Sequence, residues 1–114
     1  MKPDKPKCYI SGPISGRTKQ DCLHDFDVAS DWLTMWGFDP VSPMHNGLPF
    51  DAPYAEHLRR DIALLVGCES MLLLPGWIKS KGCRIEYRVA TVLKIRIIEH
   101  QSIKTKNEKL HSNH

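Results

Sequence analysis

Leu72-Leu73-Leu74-Pro75-Gly76-Trp77-Ile78-Lys79-Ser80-Lys81-Gly82-Cys83-Arg84-Ile85-Glu86 is the stretch that decides the fold. With Ser70 and Met71 before it, it opens as an unbroken apolar run. Such a run predicts a strand buried on both faces, as in the middle of a parallel sheet. Pro75-Gly76 stops the strand and a polar loop follows. A helix pattern then covers 82–93, with Ile85, Val89, Val92 and Leu93 facing inward. In parallel α/β folds a strand-to-helix turn of this kind lies on the sheet edge where ligands bind. Glu86, in the first turns of the helix, is therefore the first candidate for a working group.

The same unit occurs upstream. Cys8-Tyr9-Ile10-Ser11 predicts a short strand ended by Gly12-Pro13. Gly12-Pro13-Ile14-Ser15-Gly16-Arg17 reads either as an anion-holding turn of amides and hydroxyls or as a plain connection; it is neither a Walker loop nor GxGxxG. A helix over 18–36 follows, with Leu23, Phe26, Ala29, Leu33 and Trp36 as its inward stripe and Gly37 as its stop. Residues 38–41 predict a second strand, placed at an edge by Pro40. The loop over 42–53 offers His45 and Asn46 to a ligand, although a lone loop histidine is more often merely solvated. A second helix over 52–67 buries Leu58, Ile62, Leu65 and Val66, with Asp61 at the margin of that stripe. Residues 95–98 form a fourth strand.

Each connection is long enough for a right-handed parallel crossover. The predicted product is a small three-layer α/β/α sandwich, flavodoxin- or Rossmann-like, with strand order 2-1-3-4. Its switch point lies between the first and third strands. There Tyr9, the turn from Ser11 to Gly16 and the segment from Ser80 to Glu86 share one crevice, with Asp61 above it.

Length and composition set the class. With 114 residues the chain holds one core, predicted over 8–100 between a lead-in at 1–7 and a mobile polar tail at 101–114. Apolar residues at 41% and charged residues at 25% describe a soluble globular domain. The formal charge of +3 suits a small anionic ligand better than a nucleic-acid polymer. Residues 1–7 lack the apolar core of a signal peptide, and no run approaches membrane-spanning length. Cys8, Cys22, Cys68 and Cys83 form no CxxC pair, so reduced thiols in a cytoplasm are expected, with no metal site and no cofactor. Trp32 and Trp36 are expected in the core, or alternatively in a homodimer contact.

Two carboxylates from different elements facing one cleft are the minimal equipment for breaking a glycosidic bond. Glu86 suits the nucleophile, because a nearby helix N-terminus favours its ionised form by roughly 0.3–1 kcal/mol. Asp61 suits the proton donor, because partial burial raises a carboxyl pKa. On the residues alone, ion pairs compete with both roles: Glu86 with Lys81, Arg84 or Arg88, and Asp61 with Arg59 or Arg60.

Tyr9-Ile10-Ser11-Gly12-Pro13, Asp61-Ile62, Cys68-Glu69-Ser70 and Ser80-Lys81-Gly82-Cys83-Arg84-Ile85-Glu86 occur in the order seen in the nucleoside 2-deoxyribosyltransferase superfamily. Over about residues 8–99 the chain resembles that superfamily, especially its small DUF4406-type branch. The resemblance implies Glu86 as nucleophile on the sugar C1′, Asp61 as proton donor to the departing base, and Tyr9 as the hydroxyl that positions Glu86. It also implies Ser11, Gly12, Pro13, Ile14, Ser15, Gly16 and Arg17, with Ser80 and Gly82, as the substrate-holding residues.

The departures point two ways. Ser80 is like the related 2′-deoxynucleoside 5′-phosphate N-hydrolases, where serine helps bind phosphate; transferases carry aspartate there. Pro13 follows the transferases. Glu69 replaces a usual aspartate, and Cys83 a small threonine, valine or alanine. The chain after the fourth strand is unlike the segment with which a partner subunit completes the family's pocket. The expected activity is therefore N-glycosidic cleavage or base transfer on a deoxynucleoside or its 5′-monophosphate. The alternative is a nucleotide- or sugar-phosphate-binding module without turnover.

Overall fold

The computed structural model describes residues 4–99. The tail predicted at 101–114 and the first three residues of the lead-in lie outside them. Four strands, β1 (Lys7–Ser11), β2 (Asp39–Val41), β3 (Ser70–Leu73) and β4 (Arg96–Glu99), alternate with three helices, α1 (Lys19–Met35), α2 (Tyr54–Val66) and α3 (Lys81–Val92). All strand pairs are parallel, in the order β2-β1-β3-β4, as the crossover lengths predict. Tyr9 lies beside Met71 and Ser11 beside Leu73. The ladder runs one residue past β3, since the Leu74 amide donates to the Ser11 carbonyl at 2.9 Å.

Side-chain alternation along β1 and β3 creates two cores. Cys8, Ile10, Leu72 and Leu74 pack against Cys22, Phe26, Ala29 and Leu33 of α1. Tyr9, Met71 and Leu73 pack against Leu65 of α2 and Ala90 of α3. Burial of a side chain such as Phe26 or Leu33 is worth roughly 1.5–3 kcal/mol. Ser11 has the same parity as Tyr9, so the strand itself sends both hydroxyls towards α2 and α3. Immediately beyond, Gly12 lies so close to β3 that a Cβ there would meet Leu74 Cδ1 at 2.8 Å. The turn can cross the sheet edge only because this residue has no side chain.

Three predicted faces differ. In α1 the stripe is Cys22, Asp25, Phe26, Ala29 and Leu33. Trp36, predicted inward, is 63% exposed because it caps the helix beyond its last turn; it tilts against Trp32 at 5.5 Å. In α2, Val66 is exposed, and the inward positions are Asp61 and Leu65. In α3, Val92 and Leu93 are exposed, and Cys83, Glu86 and Ala90 take the inner face. Polar residues therefore occupy helix faces that a purely apolar stripe would fill. Short 3₁₀ turns at Pro43–His45 and Trp77–Lys79 lie in segments predicted as plain loop. No helix among the described residues is long and apolar enough to cross a membrane.

Candidate active site

A cavity of about 400 Å³ opens at the C-terminal end of β1, between the turn after it, the loop after β2, α2 and the start of α3. Glu86 lines it from the inner face of α3 and is only 6% exposed. Each carboxyl oxygen receives one hydrogen bond. The Tyr9 hydroxyl donates to Oε2 at 2.8 Å, and the Ser11 hydroxyl donates to Oε1 at 2.8 Å. Neither an arginine nor a lysine pairs with Glu86 among the described residues; Arg84 instead donates to the Ile78 carbonyl at 2.9 Å. The surface ion-pair reading of Glu86 therefore falls.

Burial pushes the Glu86 carboxyl up to about 7, opposed by the Ser11 and Tyr9 bonds and reinforced by the negative charge of Asp61. This corrects the expectation that helix α3 would hold Glu86 ionised. Glu86 is the sixth residue of the helix, beyond the first turn where the dipole acts. Burial and the neighbouring charges of Glu86 and Asp61 raise the Tyr9 phenol well above its ordinary range, so Tyr9 keeps its proton and remains a donor.

Asp61 reaches the same cavity from α2 and is 7% exposed. It has no ion-pair partner among the described residues. Arg60, offered as its partner by sequence, donates to the Asn46 carbonyl at 2.9 Å. Asp61 Oδ1 instead accepts from Asn46 Nδ2 at 2.8 Å. Burial raises the Asp61 carboxyl, opposed by the Asn46 bond.

The glycine-and-serine turn divides its work. Gly12, Ile14, Ser15, Gly16 and Arg17 line the cavity, whereas the Ser11 hydroxyl is committed to Glu86. Arg17 is a brace: its guanidinium donates to the Pro13 carbonyl at 2.9 Å and pairs with buried Asp25. Its charge is thus neutralised, which weakens the expectation that it attracts an anion. Pro13 lines a second, adjoining cavity of about 230 Å³, together with Lys79, Lys81, Ser15 and Ser80. Ser80 and Gly82 line both cavities. Ser80 also caps α3, accepting from the Cys83 amide at 3.3 Å.

Of the two loop residues singled out by sequence, Asn46 is buried at the cavity and His45 is exposed away from it. Sequence reasoning missed Tyr54 and His57, which share the cavity. Their signal was present: Tyr54, His57, Leu58 and Asp61 recur at helical spacing and form one face of α2. The four cysteines are free and buried, and burial raises the Cys83 thiol beside Glu86.

No curated protein matches this sequence. Residues 6–99 match the family described as Domain of unknown function (DUF4406), a span that contains every strand and helix among the described residues. Because that match takes in the whole sheet and the Tyr9, Ser11, Asp61 and Glu86 constellation, the chain belongs to the DUF4406 family.

Proposed function

We propose that this protein cleaves the N-glycosidic bond of a deoxynucleoside or its 5′-monophosphate, as a nucleoside deoxyribosyltransferase-like enzyme. One observation carries the reading. A buried carboxylate, Glu86, is held by two hydroxyl donors and lines a cavity that a second carboxyl, Asp61, also lines. Such a pair performs double displacement at a sugar carbon.

In the first step a Glu86 oxygen attacks C1′ as the C1′–N bond breaks. The bonding electrons pass to the base nitrogen, and the base takes the Asp61 proton. A glycosyl ester on Glu86 and an Asp61 carboxylate result. In the second step water, or the nitrogen of another base, attacks C1′. Asp61 takes the proton released, and the electrons of the ester bond return to Glu86. Tyr9 and Ser11 fix the attacking oxygens throughout, and Tyr9 stabilises the carboxylate at each end of the cycle.

The adjoining cavity supports a 5′-phosphate on the sugar. Lys79 and Lys81 bring positive charge there, beside the hydroxyls of Ser15 and Ser80. Replacing both lysines by glutamate is expected to raise KM for a deoxynucleoside monophosphate by about tenfold or more. KM for the corresponding nucleoside should stay within about twofold; steady-state assays on both substrates check this.

The primary test incubates the protein with the deoxynucleosides and their 5′-monophosphates, with and without a second free base, and separates the products by chromatography. Free base or an exchanged nucleoside is the expected result. Nucleotide-induced thermal stabilisation with no base released from any substrate would instead favour a binding module. That second reading has one feature in its favour: burial raises the Glu86 carboxyl to about 7, which works against the ionised nucleophile.

A further inference from the structure

The loop between β2 and α2 folds over the Asp61 face of its helix and buries Asn46, which is 6% exposed. Every polar atom of the Asn46 side chain is engaged. Its Oδ1 accepts from the Leu48 amide at 3.0 Å. Its Nδ2 donates to Asp61 Oδ1 at 2.8 Å and lies 3.0 Å from His57 Nδ1. The other ring nitrogen, His57 Nε2, lies 3.1 Å from the Phe50 carbonyl oxygen.

These contacts fix each hydrogen by elimination. A carbonyl oxygen only accepts, so His57 Nε2 carries the ring hydrogen and donates to Phe50. In the neutral ring Nδ1 is then an acceptor, and it takes one of the two Asn46 amide hydrogens. The second goes to Asp61. Turning the Asn46 amide over would set its NH₂ against the Leu48 N–H and its oxygen against the Asp61 carboxylate. The amide therefore has one orientation, and His57 helps to set it.

The consequence falls on Asp61. Its Oδ1 is occupied as an acceptor, so a proton bound by Asp61 sits on Oδ2. That oxygen has no hydrogen-bond partner among the described residues and is not sealed from the cavity that Asp61 lines. We infer that Asn46, oriented by His57, is a positioning residue that places the Asp61 proton on the cavity-facing oxygen, ready for the departing base. The inference rests on the base-releasing function proposed above and adds two residues to its machinery.

The same bonds tie the cavity's roof to α2, so the test must separate proton placement from simple support. Two substrates do so: a purine deoxynucleoside 5′-monophosphate and its N7-methylated counterpart. The methylated base already carries a positive charge and departs neutral without receiving a proton. Asn46→Ala is expected to lower kcat about tenfold or more on the ordinary substrate, and by less than about threefold on the methylated one. Asp61→Asn should show the same contrast more strongly. Equal losses on both substrates in Asn46→Ala, with the contrast kept in Asp61→Asn, would overturn the role of Asn46 and leave the proposed reaction standing. Absence of base release by the wild type from any nucleoside or nucleotide would remove the reaction and this role together. A second measurement needs neither turnover nor a folded variant: ¹⁵N NMR of the wild-type protein at neutral pH. The His57 ring hydrogen is expected at Nε2, and a hydrogen at Nδ1 would overturn the chain of donors.

Discussion

Glu86→Gln is expected to abolish base release, lowering kcat by more than about 10⁴-fold while the domain stays folded. Glutamine keeps the shape of the side chain. It can accept from one of the Tyr9 and Ser11 hydroxyls and donate to the other. What it lacks is a carboxylate able to form an ester at C1′. The loss therefore measures the chemistry and not the packing, and circular dichroism beside the kinetic assay separates the two. A general base that merely activated water would also disappear with this substitution. Mass spectrometry of the wild type, quenched in acid during turnover, distinguishes these cases. Double displacement leaves a deoxyribosyl adduct on the peptide carrying Glu86, and direct attack by water leaves none. Full activity in Glu86→Gln would remove Glu86 from the mechanism.

The electrostatics of the pair shape the expected pH profile. In the proposed reaction attack requires Glu86 ionised and Asp61 protonated, yet burial raises both groups, and the charge of Asp61 raises Glu86 further. For the proposed reaction the productive form is the one with a proton on Asp61 and none on Glu86. The Tyr9 and Ser11 donors favour this arrangement at Glu86. At Asp61 the single Asn46 donor leaves the second oxygen for the proton.

The sheet was legible because its evidence is local and continuous. The run from Ser70 to Leu74 is apolar throughout, and the long connections admit only parallel crossovers. The convergence of Tyr9 and Glu86 was legible from the same topology, through its switch point and the family resemblance. The helix faces were less legible because the site places polar side chains on the inner stripe. Glu86 and Cys83 stand where Val92 and Leu93 were expected to set the face, and Asp25 sits beside Phe26 to meet Arg17. Periodicity of apolar residues cannot see a face that is half chemistry. Asn46 and His57 were obscure for a different reason. Their roles depend on how an irregular, proline-bearing loop crosses α2, and no spacing rule encodes that crossing. The Tyr54, His57, Leu58 and Asp61 spacing would have revealed which side of α2 meets the cavity, but not the amide that bridges to it.

Glu86→Gln is also expected to stabilise the protein by about 3 kcal/mol at pH 8 and to change it little near pH 4. The Glu86 carboxyl is raised from 4.5 to about 7 in the folded state, and burial is the principal cause. Between those two values the folded protein holds a proton that the unfolded chain has released. Unfolding therefore releases a proton, and wild-type stability falls as pH rises through this window. Above pH 7 the folded state carries the whole penalty of a buried charge; below about pH 4.5 both states are protonated and the penalty vanishes. Glutamine is neutral throughout, so its curve of stability against pH should be flatter. Asp61, raised in the same direction, leaves some slope in both proteins. Urea unfolding of wild type and variant at several pH values from 4 to 8 gives the comparison directly. Parallel curves would mean that Tyr9 and Ser11 fully compensate the buried charge, and Glu86 would then be an ordinary structural acceptor. A gap that opens with pH means that the fold retains an ionisable group at a cost that a neutral isostere avoids. Such a cost is expected at a reacting carboxylate, where stability and activity oppose each other, and has no purpose in a group that only packs.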